Sequence, residues 1–422
     1  MTNQSVTVVM NAFRLCIATL ILLLLPQQLA AYDFMVDGLC YNRNSDGTSV
    51  TVTYQTSSSP RYTDLSGDLT IPETVTYCDT TYTVTSVGEK AFIGCRDLAS
   101  VVIGDSVITI EKEAFLSCSG LASVVIGNSV IEIKENAFYN CSTLTSLTLG
   151  KSVKTIGWSA FEFCGLSAVT IGNSVKTIGN SAFRASNALT SVIIGDSVAS
   201  IGHGAFENCT NLSSVTFGKS VKVIGDAAFA NCNKLASIAL GDSVLSIGKY
   251  AFDRCGNLVS VTIPNAVTYI GECAFQSCDK LTSVELGSSV TTIGSYVFWG
   301  TRRITRIISL SSNPPGANDD TFSGIDYLNC KLYVPVGARS AYKGSLGWIY
   351  FRSVYEFDDI DLIKCDVTGD DNVDISDVNA VINTMLGTEE NSNILGYADV
   401  TGDGQVDIAD VNAVINIMLG KE

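Results

Sequence analysis

The stretch CTNLSSVTFGKSVKVIGDAAFAN, residues 209–231, is one copy of a motif that fills more than half of the 422-residue chain. Its general form is C-x-x-L-x-S-V-x-I-G-x-S-V-x-x-I-G-x-x-A-F, and the closing phenylalanine recurs every 23 residues, with a single step of 22. A unit of this size cannot bury its own apolar side, so neighbouring units must stack to enclose a core. The sequence therefore predicts a β-rich solenoid of ten units, which end at Phe92, Phe115, Phe138, Phe161, Phe183, Phe206, Phe229, Phe252, Phe275 and Phe298.

Each unit contains two segments with the pattern of short strands. LxSVxI alternates apolar and polar residues, as a half-buried strand does, and SVxxIG is predicted to be a second extended piece. Glycines such as Gly104, Gly127 and Gly150 mark the turn between the two segments. We expect the following AFxxC to form a helical turn that places the Phe and Cys side chains inside.

The cysteines follow the repeat. One repeat position is occupied by Cys95, Cys118, Cys141, Cys164, Cys209, Cys232, Cys255 and Cys278. Stacked thiols that point the same way have a poor geometry for bridging, so we interpret this column as small buried hydrophobes. Ser186 and Thr301 take the same position, which shows that sulfur is not required there. Pairing stays open for the remaining cysteines of the exported chain, Cys40, Cys78, Cys273, Cys330 and Cys365.

Two columns of the repeat point outward from the LxSVxI strand. The first contains Val102, Val125, Thr148, Thr170, Ile193, Thr216, Ala239, Thr262 and Glu285. The second contains Ser100, Ser123, Ser146, Ser191, Ser214, Ser237, Ser260 and Ser283. This nearly uncharged face is either a packing ladder between strands or a broad protein-binding surface. Lysines in the middle units form either a shallow basic stripe or ordinary solvated surface; they are Lys151, Lys154, Lys176, Lys219 and Lys222.

Catalytic signatures are missing from the repeats. The single histidine, His203, stands at a variable repeat position, which predicts an exposed side chain and leaves no partner for a triad or a zinc site. A glycosidase needs two carboxylates at a set separation, and the acids of the solenoid fall on surface positions without an obvious cleft. Those acids are Glu111, Glu113, Glu132, Glu135 and Glu285. We therefore predict that the chain is not an enzyme.

These units resemble the BspA-like leucine-rich repeats of secreted bacterial proteins, over residues 69–306. YDFMVDGLCYNRNSDGTSVTVTY, residues 32–54, resembles the N-terminal cap of that family, with a hairpin that turns at Asp46-Gly47. CKLYVPVGARSAYKGSLGW and VYEF resemble its C-terminal cap, whose aromatic residues Tyr333, Tyr342 and Trp348 suit an end cover. The resemblance implies an N-terminal β cap at 32–68, a C-terminal cap at 307–361, and a role in adhesion and binding.

A different motif is duplicated near the C-terminus. DVTGDDNVDISD, residues 366–377, returns as DVTGDGQVDIAD, residues 399–410. Calcium is a hard cation that takes six to eight oxygens, and a twelve-residue loop supplies them from positions 1, 3, 5, 7, 9 and 12. The predicted ligands are Asp366, Thr368, Asp370, Asn372 (backbone carbonyl), Asp374 and Asp377 in the first loop, and Asp399, Thr401, Asp403, Gln405 (backbone carbonyl), Asp407 and Asp410 in the second.

Each loop is followed by a segment with helical spacing of apolar residues, and Gly387 or Gly420 stands where that helix should stop. Neither loop is preceded by the entering helix of a full EF-hand. Two loop–helix units in tandem resemble a type I dockerin, which implies a small all-α calcium-binding domain at 362–422 with two calcium ions. The resemblance also implies docking onto a cohesin-type domain on a scaffold or cell surface, through positions 10 and 11 of each loop. Those positions hold Ile375, Ser376, Ile408 and Ala409, where cellulosomal members commonly have a hydroxyl pair.

The two loops differ at position 6, where the backbone makes a sharp turn that favours glycine. The second loop has Gly404 and the first has Asp371. Asp tolerates a left-handed backbone better than most residues, at a cost of about 1 kcal/mol. We therefore predict that the first calcium site is the weaker one.

The N-terminus has the pattern of a secretion signal, predicted over residues 1–31. An apolar run, LCIATLILLLL at 15–25, follows Arg14 and ends at small residues, and it is too short to span a bilayer. The true start is either Met1 or Met10. We expect an extracellular or surface-associated protein without a transmembrane anchor. The formal net charge of −16 argues against nucleic acid as a partner.

Taken together, the sequence predicts a secreted, non-catalytic binding or adhesion protein. The repeats would contact an unknown protein or glycan ligand, and the dockerin-like module would anchor the chain through a cohesin. The alternative is a non-hydrolytic component of an extracellular polysaccharide-degrading complex of the cellulosome type.

Overall fold

The structure is a computed structural model that describes residues 31–55, 62, 65–356, 367–368, 375–388, 398–401 and 405–418. Apart from Ala31, the predicted signal segment lies outside these residues. In chain order the strands are β1 (Phe34–Val36), β2 (Leu39–Arg43), β3 (Ser49–Thr53), β4 (Gly67–Ile71), β5 (Thr74–Tyr77), β6 (Thr80–Val87), β7 (Leu98–Ile103), β8 (Thr109–Ile110), β9 (Ser123–Val125), β10 (Glu132–Ile133), β11 (Ser146–Thr148), β12 (Thr155–Ile156), β13 (Ala168–Thr170), β14 (Thr177–Ile178), β15 (Ser191–Ile193), β16 (Ser200–Ile201), β17 (Ser214–Thr216), β18 (Val223–Ile224), β19 (Ser246–Ile247), β20 (Ser260–Ile263), β21 (Tyr269–Ile270), β22 (Ser283–Leu286), β23 (Thr292–Ile293), β24 (Arg306–Ser309), β25 (Lys331–Val334) and β26 (Ser353–Glu356). The helices are α1 (Arg339–Gly344), α2 (Ile375–Met385) and α3 (Ile408–Met418), with a 3-10 turn at Trp348–Tyr350.

The repeats form the predicted β-solenoid. The two-residue strands of SVxxIG pair in parallel, turn after turn, from β6 through β8 to β23, and Ile133, Ile156 and Ile178 stand in register. The antiparallel strands β1, β2 and β3 extend this ladder at the N-terminal end, and the β2–β3 hairpin turns at Asp46-Gly47. We call this unbroken row of strands the continuous ladder.

The strands of LxSVxI form a second layer that is interrupted at two places, the first seam and the second seam. The first seam lies between β11 and β13, where Cys164-Gly165-Leu166 is one residue shorter than the usual C-x-x-L. A Cβ built on Gly172 would meet no atom within 4 Å, whereas one on Gly195, a turn later, would lie 2.6 Å from the Gly172 carbonyl oxygen. Loss of one residue therefore separates neighbouring turns enough to break strand pairing.

The second seam lies between β17 and β20, where a lone bridge joins Ala239 to Thr262. The residue responsible is Phe217, because it occupies an inward position that is Ile or Leu in the other turns. Its ring lies 5.8 Å from that of Phe229, and the extra volume holds its strand away from the next one. A Cβ on Gly241 would accordingly lie 3.5 Å from the Gly218 carbonyl oxygen, a looser approach than at Gly195.

The AFxxC segments do not form a helical turn, so that prediction is wrong. Each is a run of tight turns in which N–H groups bond to the carbonyl three residues earlier, as from Cys209 to Phe206, and alternate N–H groups bond to the next unit, as from Phe206 to Ala228 at 2.8 Å. A left-handed residue recurs in each run, such as Asn208 and Asn231 with φ of 60°. A continuous helix cannot exchange hydrogen bonds with its neighbours, whereas this conformation joins every turn to the next.

The core of the solenoid is a column of stacked phenyl rings, which we call the phenylalanine column. The rings of Phe115 and Phe138 are 4.9 Å apart and nearly parallel, and those of Phe275 and Phe298 are 6.1 Å apart. Tyr62 stacks on the first ring, and Trp348 packs at a tilt 4.5 Å from Phe322 at the other end. Aromatic pairs at such distances contribute beyond their buried area, so the column couples each turn to its neighbours.

The cysteine column is buried, as expected, and its thiols have a definite role. From Cys118 onward, each thiol of the column donates a hydrogen bond to the phenylalanine carbonyl of the preceding unit, as from Cys209 Sγ to Phe183 at 3.3 Å. Ser186 makes the same bond to Phe161 at 3.4 Å, which explains why a hydroxyl is accepted there. Burial raises the pKa of Cys209 to about 12. The twelve cysteines within the described residues are all free thiols.

At each end of the stack, a buried aromatic side chain is hydrogen-bonded to the backbone. At the N-terminal end the Tyr62 hydroxyl donates to the Thr53 carbonyl at 2.7 Å and accepts from the Cys40 amide at 2.8 Å. At the other end the Trp348 indole donates to the Pro315 carbonyl at 2.8 Å. These bonds satisfy the polar atoms of large apolar side chains, which can then cover the open core.

Helices α2 and α3 form a second core that is separate from that of the solenoid. Val378 and Val381 of α2 pack with Val411 and Val414 of α3, and Val367 joins the same buried cluster. The valines of each helix are three residues apart, which is the helical pattern expected from the sequence. Within the described ranges, no helix has the length and apolar content needed to cross a bilayer.

Substitution of Phe206 by alanine tests the phenylalanine column. The ring is fully buried between Phe183 and Phe229, each 5.3 Å away, so its removal leaves a cavity. We expect the free energy of unfolding, measured by urea denaturation, to fall by about 3–5 kcal/mol. Phe163→Ala is the matched control, because that ring is 39% exposed and should change stability by less than about 1 kcal/mol. Equal losses for both variants would contradict a role for the column.

Candidate metal loops and binding surfaces

Each acidic loop is closed by a hydrogen bond between a threonine at position 3 and an aspartate at position 12. The Thr368 amide donates to Asp377 Oδ1 at 2.9 Å, and the Thr401 amide donates to Asp410 Oδ1 at 2.8 Å. Both aspartates are fully buried. Position 3 of each loop is thus tied to position 12, which is the third residue of the helix that follows. A buried carboxylate held in this way at a helix N-terminus is positioned to share its oxygens with a cation.

The second loop shows how its carboxylates are oriented. Asp410 Oδ2 accepts the Asp407 amide at 2.8 Å, and Asp407 Oδ1 accepts the Ala409 amide at 2.7 Å. Burial acts to raise the pKa of Asp410, but the donated bonds from Thr401 and Asp407 outweigh it, and the pKa lies below its ordinary value. Asp410 is therefore held as a carboxylate, the form that binds a metal ion.

The structure describes some of the predicted calcium ligands and not others. Five of them, Asp366, Asp370, Asn372, Asp374 and Asp403, lie outside the described residues, and those described are Thr368, Asp377, Asp399, Thr401, Gln405, Asp407 and Asp410. Taken alone, the described residues do not bring three His, Cys, Asp or Glu side chains together as a metal cluster. The donors present are all oxygens, which fits a hard cation such as calcium and not a soft one.

The predicted partner-binding residues lie at the same place in both units. Ile375 and Ile408 are the first residues of α2 and α3, and they are 62% and 61% exposed. Ser376 is half-buried and Ala409 is exposed, one residue further along each helix. Large apolar side chains with this exposure have no part in the α2–α3 core. Ile375 and Ile408 are thus equivalent exposed apolar residues, one in each loop.

On the solenoid, the outward column of LxSVxI faces solvent. Its large members Val102, Val125 and Ile193 are 41%, 42% and 50% exposed. The column is therefore a long, neutral, β-branched surface, and it is interrupted at the two seams because the strands beneath it are interrupted. Both interpretations offered by the sequence remain compatible with this exposure, since a cross-strand ladder can also be a contact surface.

The residues considered for catalysis are dispersed. His203 is exposed, as expected. The acids of the early units are used in ion pairs between turns, with Lys112 3.0 Å from Glu135 and Lys134 2.8 Å from Glu111. These pairs align along the stack and are half-exposed, so they act as links between turns.

One surface feature was not found from the sequence. Trp158 is 59% exposed, and Phe163 in the same turn is 39% exposed and packs edge-on against Tyr139 with ring centroids 5.5 Å apart. The LxSVxI strands carry no aromatic row, whereas these two rings stand on the turns. The signal was available, because Trp158 fills a repeat position that is polar in the other nine units.

Family models match two parts of the chain. The model described as BspA type leucine rich repeat region matches residues 72–190 and 176–305, and the model for the dockerin type I domain matches residues 364–419. No curated protein matches the chain.

Three solved structures of leucine-rich repeat proteins are similar to this chain. A leucine-rich repeat protein from Bacteroides ovatus is 28% identical, with 74% of this chain and 81% of that chain covered and a TM-score of 0.59. A T. pallidum leucine-rich repeat protein is 29% identical over 48% of this chain and 90% of that chain, with a TM-score of 0.43. A leucine-rich cell surface protein from Faecalibacterium prausnitzii is 24% identical over 69% and 97%, with a TM-score of 0.32.

The first of these structures and the family models agree with the geometry of the stacked turns and of the two loop–helix units. Both folds are non-catalytic interaction modules. The chain therefore belongs to the BspA type leucine-rich repeat family, and its C-terminal part is a type I dockerin domain.

Proposed function

We propose that this chain is a secreted, non-catalytic binding protein whose repeats contact a protein or surface and whose dockerin domain docks onto a cohesin-type partner when calcium is bound. The observation that carries the proposal is the duplicated closure of Thr368 on Asp377 and Thr401 on Asp410, each beside an exposed isoleucine. A duplicated loop with a duplicated apolar neighbour is the arrangement expected of a module that binds ions in order to present a docking surface.

Each loop would hold one calcium ion. Calcium would neutralise carboxylates that otherwise repel one another, since nine Asp, three Glu and one Lys give residues 366–422 a charge of −11. The ligands would be Asp366, Thr368, Asp370, Asn372, Asp374 and Asp377 in the first loop, and Asp399, Thr401, Asp403, Gln405, Asp407 and Asp410 in the second. Because Asp377 and Asp410 lie in the first turns of α2 and α3, ion binding would fix the start of both helices.

The docking contact would be made by Ile375 and Ser376 of the first unit or by Ile408 and Ala409 of the second. The two isoleucines are exposed to nearly the same extent, 62% and 61%, and apolar side chains of this kind anchor interfaces when a partner covers them. Calcium dependence follows because these residues lie between loop position 9 and the buried aspartate at position 12.

Removal of calcium tests the metal site. With EDTA the carboxylates lose their counter-charge, so we expect α2 and α3 to lose helical circular dichroism while the β-rich solenoid is retained. The double variant Asp377→Asn/Asp410→Asn should behave in the same way even in calcium. The control is Asp242→Asn, an exposed acid of the solenoid, which should respond to calcium like the unchanged protein. Full helical signal in EDTA would contradict a calcium-built domain.

The two loops offer a matched comparison of site strength. We expect the first site to bind calcium more weakly than the second, because Asp371 stands where the second loop has Gly404. Asp371→Gly should tighten the first site about fivefold, the equivalent of about 1 kcal/mol. Calorimetric titration measures both sites in one protein. The proposed asymmetry is wrong if the first site is the tighter one before the substitution.

Capture from an extract of the source culture tests docking. With the full-length protein as bait, we expect a scaffold that bears cohesin domains to be retained in calcium and released in EDTA. Ile375→Asp/Ile408→Asp should abolish retention while leaving calcium binding intact, and Ile193→Asp on the solenoid should not. Glycanases on the same scaffold would favour the second candidate function, a non-hydrolytic component of a polysaccharide-degrading complex. Retention that is indifferent to calcium and to both isoleucines would rule out dockerin-type docking.

A further inference from the structure

Five exposed lysines lie together on one face of the solenoid, beside the continuous ladder. We call them the lysine stripe: Lys151, Lys154, Lys176, Lys219 and Lys222. They belong to the first, second and fourth of four successive turns in the middle of the stack. Asp196 is the one acid among the residues between them on this face, although the whole chain has a net charge of −16. The stripe is thus a local cationic surface on an acidic protein.

Backbone hydrogen bonds fix the spacing of the stripe. The Lys176 amide bonds to the Lys154 carbonyl at 2.8 Å, the Ala199 amide to Lys176 at 2.8 Å, and the Lys222 amide to Ala199 at 2.9 Å. Lys154, Lys176 and Lys222 therefore occupy one column, at the first, second and fourth turns. With one strand spacing of about 4.8 Å per turn, the amines are set out in a straight row along the stack.

This arrangement costs stability unless a partner supplies negative charge. Like charges side by side on neighbouring strands repel one another. Among the described residues, Lys219 alone of the five has an ion-pair partner, Asp196 at 3.9 Å. Elsewhere in the same stack lysines are neutralised from the next turn, as Lys112 is by Glu135 at 3.0 Å. The repeat can place acids beside lysines, and in these turns it does so for Lys219 alone of the five lysines.

An exposed aromatic ring lies in the same turn as Lys151 and Lys154. Trp158 follows Lys154 by four residues in the same turn, lies two residues after the end of β12, and is 59% exposed. The hydroxyl residues Thr155 and Thr177 follow Lys154 and Lys176 directly along the chain. A flat ring beside hydroxyls and amines suits a sugar ring, which presents C–H groups on its face and hydroxyls at its edge. A purely acidic protein segment would gain nothing from the indole.

We propose that the lysine stripe and Trp158 bind a linear acidic polysaccharide of the uronate class, with its carboxylates on the amines and a sugar ring on the indole. The row of amines fits a polymer that carries charge at regular intervals along a straight chain. The inference is independent of calcium-dependent docking, since the stripe belongs to the solenoid and the calcium loops belong to the second core. It gives the solenoid a glycan ligand in addition to the protein contact proposed above.

Affinity electrophoresis of the full-length protein in gels that contain polygalacturonate tests this proposal. EDTA in the gel prevents calcium from bridging the polymer to the acidic C-terminal loops. We expect retardation at low salt that decreases as salt rises. Lys154→Gln/Lys176→Gln should weaken binding about tenfold, and Trp158→Ala should weaken it by a few-fold or more.

The matched control is Lys234→Gln/Lys280→Gln, which removes the same charge from exposed positions on another column of the repeat. Circular dichroism of each variant checks that the solenoid is intact. Four results would overturn the proposal: no retardation by polygalacturonate, equal weakening in the control, equal retardation by neutral galactan, or tighter binding of poly-glutamate or DNA that is insensitive to Trp158→Ala. Retardation that depends on both lysines and on Trp158 would establish the site.

Discussion

Hydrogen bonding between parallel strands sets a rise of about 4.8 Å per turn, and every other part of the solenoid must match that rise. Stacked phenyl rings fit this rise, as Phe115 and Phe138 do at 4.9 Å. Glycine fits it where a Cβ would strike the backbone of the preceding turn, as at Gly195. A thiol fits it while donating a hydrogen bond to the carbonyl of the turn before, as Cys209 does. The residue types of the repeat motif are therefore those that are compatible with this rise per turn.

The same constraint explains what the sequence could and could not predict. Periodicity predicted the solenoid, its core columns and the buried thiols, because these depend on averages over many units. The seams depend on single exceptions: the missing residue after Cys164 and the ring of Phe217 in an Ile or Leu position. The turn conformation was also missed, since the propensity of AFxxC favours a helix and its partners for hydrogen bonding lie 23 residues away. Tertiary pairing overrode the local preference.

For the candidate sites the limits were different. The twelve-residue loops carry their own chemistry, so candidate ligands could be proposed from spacing, and that ligand set stays a prediction. The structure adds the hydrogen bonds of Thr368 to Asp377 and of Thr401 to Asp410. Surface sites on a solenoid are assembled from residues one or more turns apart. The lysines of the stripe were noticed in the sequence, but the adjacency of Lys154 and Lys176 and the exposure of Trp158 needed the structure. Residues that depart from the repeat consensus at a single turn are easily overlooked when the sequence is read for its periodicity.

The two seams interrupt one layer of strands and leave the continuous ladder intact. In a linear stack, stability is the sum of each turn and its contacts with its neighbours, and the weakest contact decides where cooperative behaviour divides. The segment between the seams, the three turns from β13 to β18, is joined to the rest through the continuous ladder, the phenylalanine column and the turns, with one strand layer fewer at each end. It contains Lys176, Lys219 and Lys222. The middle turns of the solenoid are therefore joined to both ends by fewer strand hydrogen bonds than neighbouring turns share elsewhere in the stack.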